Sequence, residues 1–208
     1  MLHATLIRMD EAVIAALAKW PNVPACHGWI SLDSRGRWRL GAPDGGPRDI
    51  VRHLGLATFL SRNYACTDAG EWFCQNGPQR AFVDLEAAPF AVRLHPTQNE
   101  PIATTHSGLD VTRIRAAHLG DDLRIYLLTE HGVAVVDDRD LPSLLVCLRH
   151  ADRRTPCSDA DIAGLLENDA TAPNLSLLWR GDYIALSRIA CTDLTSHYGF
   201  VKRPRAVA

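Results

Sequence analysis

Residues 29–40 alternate between apolar and polar positions. Ile30 and Leu32 precede a polar turn at Asp33 to Gly36, and Trp38 and Leu40 follow it, which is the period of two expected of a β-hairpin with one buried face. The period changes over residues 48–63, where Ile50, Val51, Leu54, Ala57 and Leu60 recur at helical spacing with Arg48, Arg52, His53 and Arg62 elsewhere, so an amphipathic helix follows the hairpin. Three strand-like runs come next, residues 64–67, 71–75 and 80–86. They are separated by Asp68-Ala69-Gly70 and Asn76-Gly77-Pro78, which predicts a three-stranded meander. In the third run Ala81, Val83 and Leu85 share one face, leaving Phe82, Asp84 and Glu86 on the other, so the two acids are expected towards solvent.

The second half repeats this order. Residues 124–137 form a hairpin pattern turning at Glu130, His131 and Gly132, and residues 141–149 carry Leu141, Leu144, Leu145 and Leu148 on one helical face. A helix over 159–168 starts after Ser158, which with Asp161 makes a variant capping box. Residues 176–190 then read as strand, Arg180-Gly181-Asp182 turn and strand. The expected fold is α+β, with mostly antiparallel sheets in two tandem related units of hairpin, helix and hairpin or meander. The first unit covers residues 1–94, with a leading helix that places Val13, Ile14 and Leu17 on one face, and the second covers 95–208. Residues 95–123, punctuated by Pro96, Pro101 and Gly108, add strands near 102–106 and 111–119.

The motifs of the first half resemble those of an uncharacterised proteobacterial family with a tandem repeated-motif fold. The matching residues are Cys26, His27 and Gly28 before the hairpin, Gly36, Arg37 and Trp38 within it, Gly77 and Pro78 at the later turn, and Glu86, Pro89 and Phe90 at the end of the last strand. The resemblance implies a repeated α+β fold, a role in signalling or ligand sensing, and no established catalytic residues.

Composition narrows the function classes. Of 208 residues 47% are hydrophobic and 22% charged, which is ordinary globular material. A formal charge of −2 argues against a nucleic-acid protein held by phosphate neutralisation. The basic residues Lys202, Arg203 and Arg205 read as a solvated end. No run reaches the roughly 20 apolar residues of a membrane span. The apolar residues 12–18 follow Asp10 and Glu11 rather than a basic leader, so a soluble, cytoplasmic protein is expected. Cys26, Cys66, Cys74, Cys147, Cys157 and Cys191 are widely spread and read as reduced structural thiols. If the turn at 68–70 holds three unpaired residues, Cys66 faces Trp72 and Cys74 is its same-face diagonal neighbour; with two, the cysteines fall on opposite faces.

No G-x-S-x-G elbow, P-loop or dinucleotide-binding fingerprint occurs. Zinc is the sharpest cofactor alternative, with Cys147, His150 and Cys157 as three ligands across a helix end and Cys26 with His27 as a second fragment, but the short paired spacings of zinc sites are missing and no cofactor is predicted. His106, His118 and His131 read as strand or turn residues. Trp29, Trp38 and Trp72 lie on neighbouring strands where tryptophan commonly builds core. Should Trp29 or Trp72 instead line a cleft, His27, Asn76 and Arg80 would supply polar groups, with Arg80 pairing to a carboxylate or phosphate. The expected function is a non-enzymatic ligand-sensing or protein-interaction module in signalling, with a small molecule or a protein as partner and neither nucleic acid nor membrane. A metal- or cysteine-dependent enzyme is the alternative. Unpaired strand edges allow a homodimer.

Overall fold

The computed structural model describes residues 9–43, 46–95, 97, 101–150, 152, 155–167 and 174–206. The chain runs α1 (Glu11–Lys19), β1 (Cys26–Leu32), β2 (Trp38–Leu40), β3 (Asp49–Ile50), α2 (Leu54–Arg62), β4 (Tyr64–Cys66), β5 (Trp72–Asn76) and β6 (Gln79–Leu85). It continues through β7 (Phe90–His95), β8 (Ile102–Thr105), β9 (Asp110–Val111), β10 (Ile114–Gly120), β11 (Ile125–Thr129), β12 (Gly132–Val136) and a 3₁₀ turn (Asp138–Asp140). Then come α3 (Leu141–Leu145), β13 (Leu148–His150), α4 (Asp159–Leu166), β14 (Leu175–Trp179), β15 (Asp182–Ile189) and α5 (Asp193–Tyr198).

The strands make a six-stranded sheet, β3-β2-β1-β6-β5-β4, and a nine-stranded sheet, β13-β14-β15-β10-β11-β12-β7-β8-β9. The α+β class and its two related units are as expected, and the topology states the relation. A meander β1-β2-β3, a helix and a meander β4-β5-β6 close by pairing β1 parallel to β6. The meanders β10-β11-β12 and β13-β14-β15 close in the same way through parallel β10 and β15. The first turns match bond for bond. Asp33 N–H donates to Arg37 O and Gly36 N–H to Asp33 O, just as Gly120 N–H donates to Arg124 O and Leu123 N–H to Gly120 O. Gly36 has φ +74° and Leu123, its counterpart, φ +63°. The second unit therefore begins at β10, one strand before the hairpin read from residues 124–137, and β7, β8 and β9 extend its sheet through a parallel pairing of β7 with β12.

Two expected helices are shorter than their apolar spacing suggests. Over residues 48–63 the helix starts only at Leu54, because β-branched Ile50 and Val51 continue the ladder from β2, Val51 N–H donating to Trp38 O at 2.8 Å. Over 141–149 it stops at Leu145, since Leu148 to His150 pair with β14. In α1 Val13 is buried, whereas Ile14 points outward at 53% exposure. The helix at 159–166 carries the full Ser158 and Asp161 capping box. The meander forms with Cys66 opposite Trp72 and Tyr64 opposite Cys74, the register of a three-residue turn.

One aromatic cluster joins the sheets. The Tyr64 ring lies 4.7 Å from Trp72, 5.2 Å from Trp38, 5.6 Å from His106 and 6.1 Å from Phe90, the last two belonging to the β7 and β8 region. Gly36 makes this approach feasible, since a Cβ there would meet the His106 Cβ at 2.4 Å. The His106 Nδ1 accepts from Ala91 N–H at 3.4 Å, and its Nε2 is sealed from solvent without a partner although the residue keeps some exposure. Burial lowers the His106 pKa from 6.5 to about 3. The unfolded chain takes up this proton below 6.5 and the folded chain only near 3, so stability is full above 6.5 and falls as pH drops through that window. In urea denaturation the loss of stability from pH 7 to pH 5 should shrink by about 2 kcal/mol in His106→Phe, at roughly 1.36 kcal/mol per pH unit. An unchanged pH dependence contradicts the assignment.

Candidate functional site

The central parallel pair β1 and β6 buries Ile30, Leu32, Val83 and Leu85 on the core side, so Trp29, Ser31, Phe82 and Asp84 emerge on the other. That outer face is not simply solvated. Phe82 and Phe73 form a small cluster with Ala65 and Met9. His27 stacks on Phe82 at 4.6 Å, and the Arg80 guanidinium lies 4.2 Å over the Phe73 ring. Trp29 stands 47% exposed on the same face.

Asp84 corrects the expectation that it points to solvent. It is 7% exposed and held by two arginines, Arg48 Nη2 at 2.7 Å and Arg205 Nη1 at 3.0 Å. Arg48 reaches it from the loop before β3 and also donates to Gly28 O at 2.7 Å. Arg205 arrives with a segment that was expected to be a free basic end. Val201 bridges Glu71 and Leu85 N–H donates to Lys202 O at 2.8 Å, which lays this segment along the first sheet. Asp33, also buried, accepts from the Arg35 and Arg37 N–H groups through Oδ1, and from Arg37 Nε at 2.8 Å and Arg39 Nε at 3.2 Å through Oδ2.

These residues enclose a cleft of about 270 Å³, lined among others by Ser31, Asp33, Arg39, Arg48, Asp84, Glu86 and Arg203. Its acids already have partners, Glu86 pairing with Arg124 at 3.0 Å. Its donors do not all have acceptors. Arg48 Nε is buried and unpartnered, and among the described residues neither Arg203 nor the Ser31 hydroxyl has a partner. A site with spare donors and saturated acceptors accepts an anion.

The sequence-predicted site residues are distributed unevenly. His27, Trp29 and Arg80 share the outer face, with Asn76 exposed at the end of β5. Trp72 lies on the opposite face, 7% exposed against Tyr64 and Phe90. The zinc fragment is not assembled: the Cys147 thiol meets Ser143 O at 3.6 Å, the Cys157 thiol meets Ser158 O at 3.6 Å, and His150 Nε2 bonds Asp161 at 2.8 Å. Among the described residues the group whose ligand atoms fall within 4.8 Å of one another is Asp121, Asp122 and Cys191. Sequence reading missed it, and also missed a relay in the second unit, where Ser187 Oγ lies 2.7 Å from His118 Nδ1 and His118 Nε2 bonds the Tyr198 hydroxyl. His118 and Ser187 occupy the positions that Ser31 and Asp84 hold in the first unit, counted from the matched turns. Burial, and then His197, lowers the His118 pKa.

A family model described as "Protein of unknown function (DUF2946)" matches residues 9–205. The chain belongs to that family. Membership in an uncharacterised family with related α+β units was the expectation from the motifs. Two solved structures are similar, both of DUF1285 family proteins. The one from Silicibacter pomeroyi DSS-3 is 14% identical with a TM-score of 0.49, over 82% of this chain and 85% of that one. The one from Shewanella baltica OS155 is 18% identical with a TM-score of 0.39, over 54% of this chain and 87% of that one. No curated protein matches.

Removing Asp84 leaves Arg48 uncompensated in a largely buried position. Asp84→Asn should lower the unfolding free energy by about 2 to 3 kcal/mol in urea titrations. Glu86→Gln, whose pair is exposed, should lower it by less than about 1 kcal/mol. Equal losses contradict the role given to Asp84.

Proposed function

We propose that the protein is a ligand-sensing module that binds a small oxyanion, a phosphate or carboxylate group, in the arginine cleft on the outer face of the first sheet. The observation that carries the reading is the mismatch of hydrogen-bonding capacity: every acid of the cleft is paired, while Arg48 Nε, Arg203 and Ser31 keep donors to spare. Arg37 and Arg205 neutralise Asp33 and Asp84 from the flanks, so the remaining field of the cleft is positive. His27, Trp29 and Arg80 lie on the same outer face, beyond the residues that line the cleft.

A sensing role in signalling agrees with the family resemblance, and a cytoplasmic setting agrees with the thiols of Cys26, Cys66, Cys74, Cys157 and Cys191, which form no disulfide. A cysteine-dependent enzyme is the weaker reading. Burial pushes the thiols of Cys66 and Cys191 up to about 11 and raises those of Cys26, Cys74 and Cys157, so none of these five is poised as a thiolate at neutral pH.

Isothermal titration with inorganic phosphate at low salt tests the proposal. The expected result is saturable binding at one site that weakens at least about tenfold in Arg203→Gln, an exposed position whose change spares the fold, as each charged hydrogen bond contributes about 1.5 to 3 kcal/mol. Arg149→Gln, in the second sheet, should bind as the parent does. Equal affinity in the parent and Arg203→Gln, or no binding by the parent, overturns the reading.

A further inference from the structure

We infer that the cleft's ligand is a planar ring carrying a phosphate, of the chemical class of a nucleoside monophosphate, with the phosphate among the arginines and the ring stacked on Trp29. The inference rests on the oxyanion reading of the cleft and adds what lies beside it.

Trp29 and Ser31 are same-face neighbours on β1, which puts their Cα atoms about 6.5 to 7 Å apart along the strand. A ring on Trp29 and an anion over Ser31 are therefore within the reach of one small molecule. The stem of Arg48 crosses the strand pair next to Trp29. Opposite Trp29 lies Gly41, whose N–H donates to Trp29 O at 3.1 Å. A Cβ at Gly41 would come within 2.6 Å of the Arg48 Cγ, so the absent side chain is what lets the arginine stem cross here and deliver its guanidinium to Gly28 O and Asp84. Arg48 thus runs from the strand position beside Trp29 to Gly28 O and Asp84. An indole left 47% exposed next to unpaired cationic donors matches the combination by which proteins hold nucleotides, an electropositive groove for phosphate and an aromatic platform for the base.

The balance of charge favours a phosphate monoester over a monocarboxylate. Arg37 and Arg39 pair with Asp33, Arg48 and Arg205 pair with Asp84, and Glu86 is occupied by Arg124, so that Arg203, which lines the cleft without a partner among the described residues, leaves an excess suited to a dianion. With about 270 Å³ the cleft holds a sugar phosphate but not a base as well, so a ring attached to it must lie outside, where Trp29 stands.

The test is isothermal titration of the full chain with adenosine 5′-monophosphate, ribose 5-phosphate and adenosine, on the parent, Trp29→Ala and Arg203→Gln, with tryptophan fluorescence recorded in parallel. The expected result is tighter binding of the nucleotide than of ribose 5-phosphate by at least about fivefold, stacking of a base being worth about that or more. The difference should vanish in Trp29→Ala, which keeps its affinity for ribose 5-phosphate, and nucleotide binding should quench fluorescence in the parent but not in Trp29→Ala. Equal affinities for nucleotide and ribose 5-phosphate overturn the inference and leave the oxyanion reading standing. Adenosine binding as tightly as the nucleotide, or a nucleotide preference that survives Trp29→Ala, overturns it as well. Binding of none of the three overturns both.

Discussion

Burying a phenol where two sheets meet requires its hydroxyl to find an acceptor, and Tyr64 finds Pro89 O at 2.9 Å. Its ring is fully enclosed, and burial raises the phenol pKa well above its ordinary value, so the group stays neutral and donates. Around it Trp38 and Trp72 come from the first sheet, Phe90 and His106 from the second. An unmade hydrogen bond in this cluster would cost on the order of 1 to 3 kcal/mol, and each large side chain removed would open a cavity. The short link from β6 to β7 carries the acceptor and leads directly into Phe90, the first residue of β7, and so sets how one sheet meets the other.

From that junction the placement of the cleft follows. The core side of β1 and β6 is committed to the shared interior, so the functional groups of these strands have only the outer face to occupy. There the parallel pairing sets Ser31 beside Asp84, and loops and a distant segment bring arginines to them. The exposed pair of Arg35 with Asp138, two bonds of 2.7 Å, links the first turn of this unit to the 3₁₀ turn after β12. In the second unit the equivalent positions hold His118 and Ser187, so the two halves share a scaffold while differing in the chemistry at its centre.

Local pattern revealed the meander, the capping box, the first hairpin and the repetition of units, because each depends on neighbours within about fifteen residues. What it missed depends on long separations. Asp84 alternates like a solvent-facing acid, and its burial comes from Arg48 and from Arg205, 121 residues away. Ile50 and Val51 fit a helical stripe, yet the edge of β2 offers them a ladder that local spacing does not record. Leu123 adopts the left-handed turn conformation without being glycine, so the counterpart of the Gly36 turn gives no signal and the matching hairpin is read from residues 124–137, one strand late. Of the candidate site, His27, Trp29 and Arg80 were visible as polar or aromatic residues near a turn, but Trp72 belongs to the core and the arginines that line the cleft looked like ordinary surface charge.

The most direct measurement of the central claim is amide chemical-shift mapping by NMR during titration with inorganic phosphate. The account predicts progressive shifts confined to the first sheet around Ser31, Asp33, Arg39, Arg48, Asp84 and Arg203, with β13 to β15 unmoved. Shifts centred on the second sheet, or no shifts at millimolar phosphate, would contradict it.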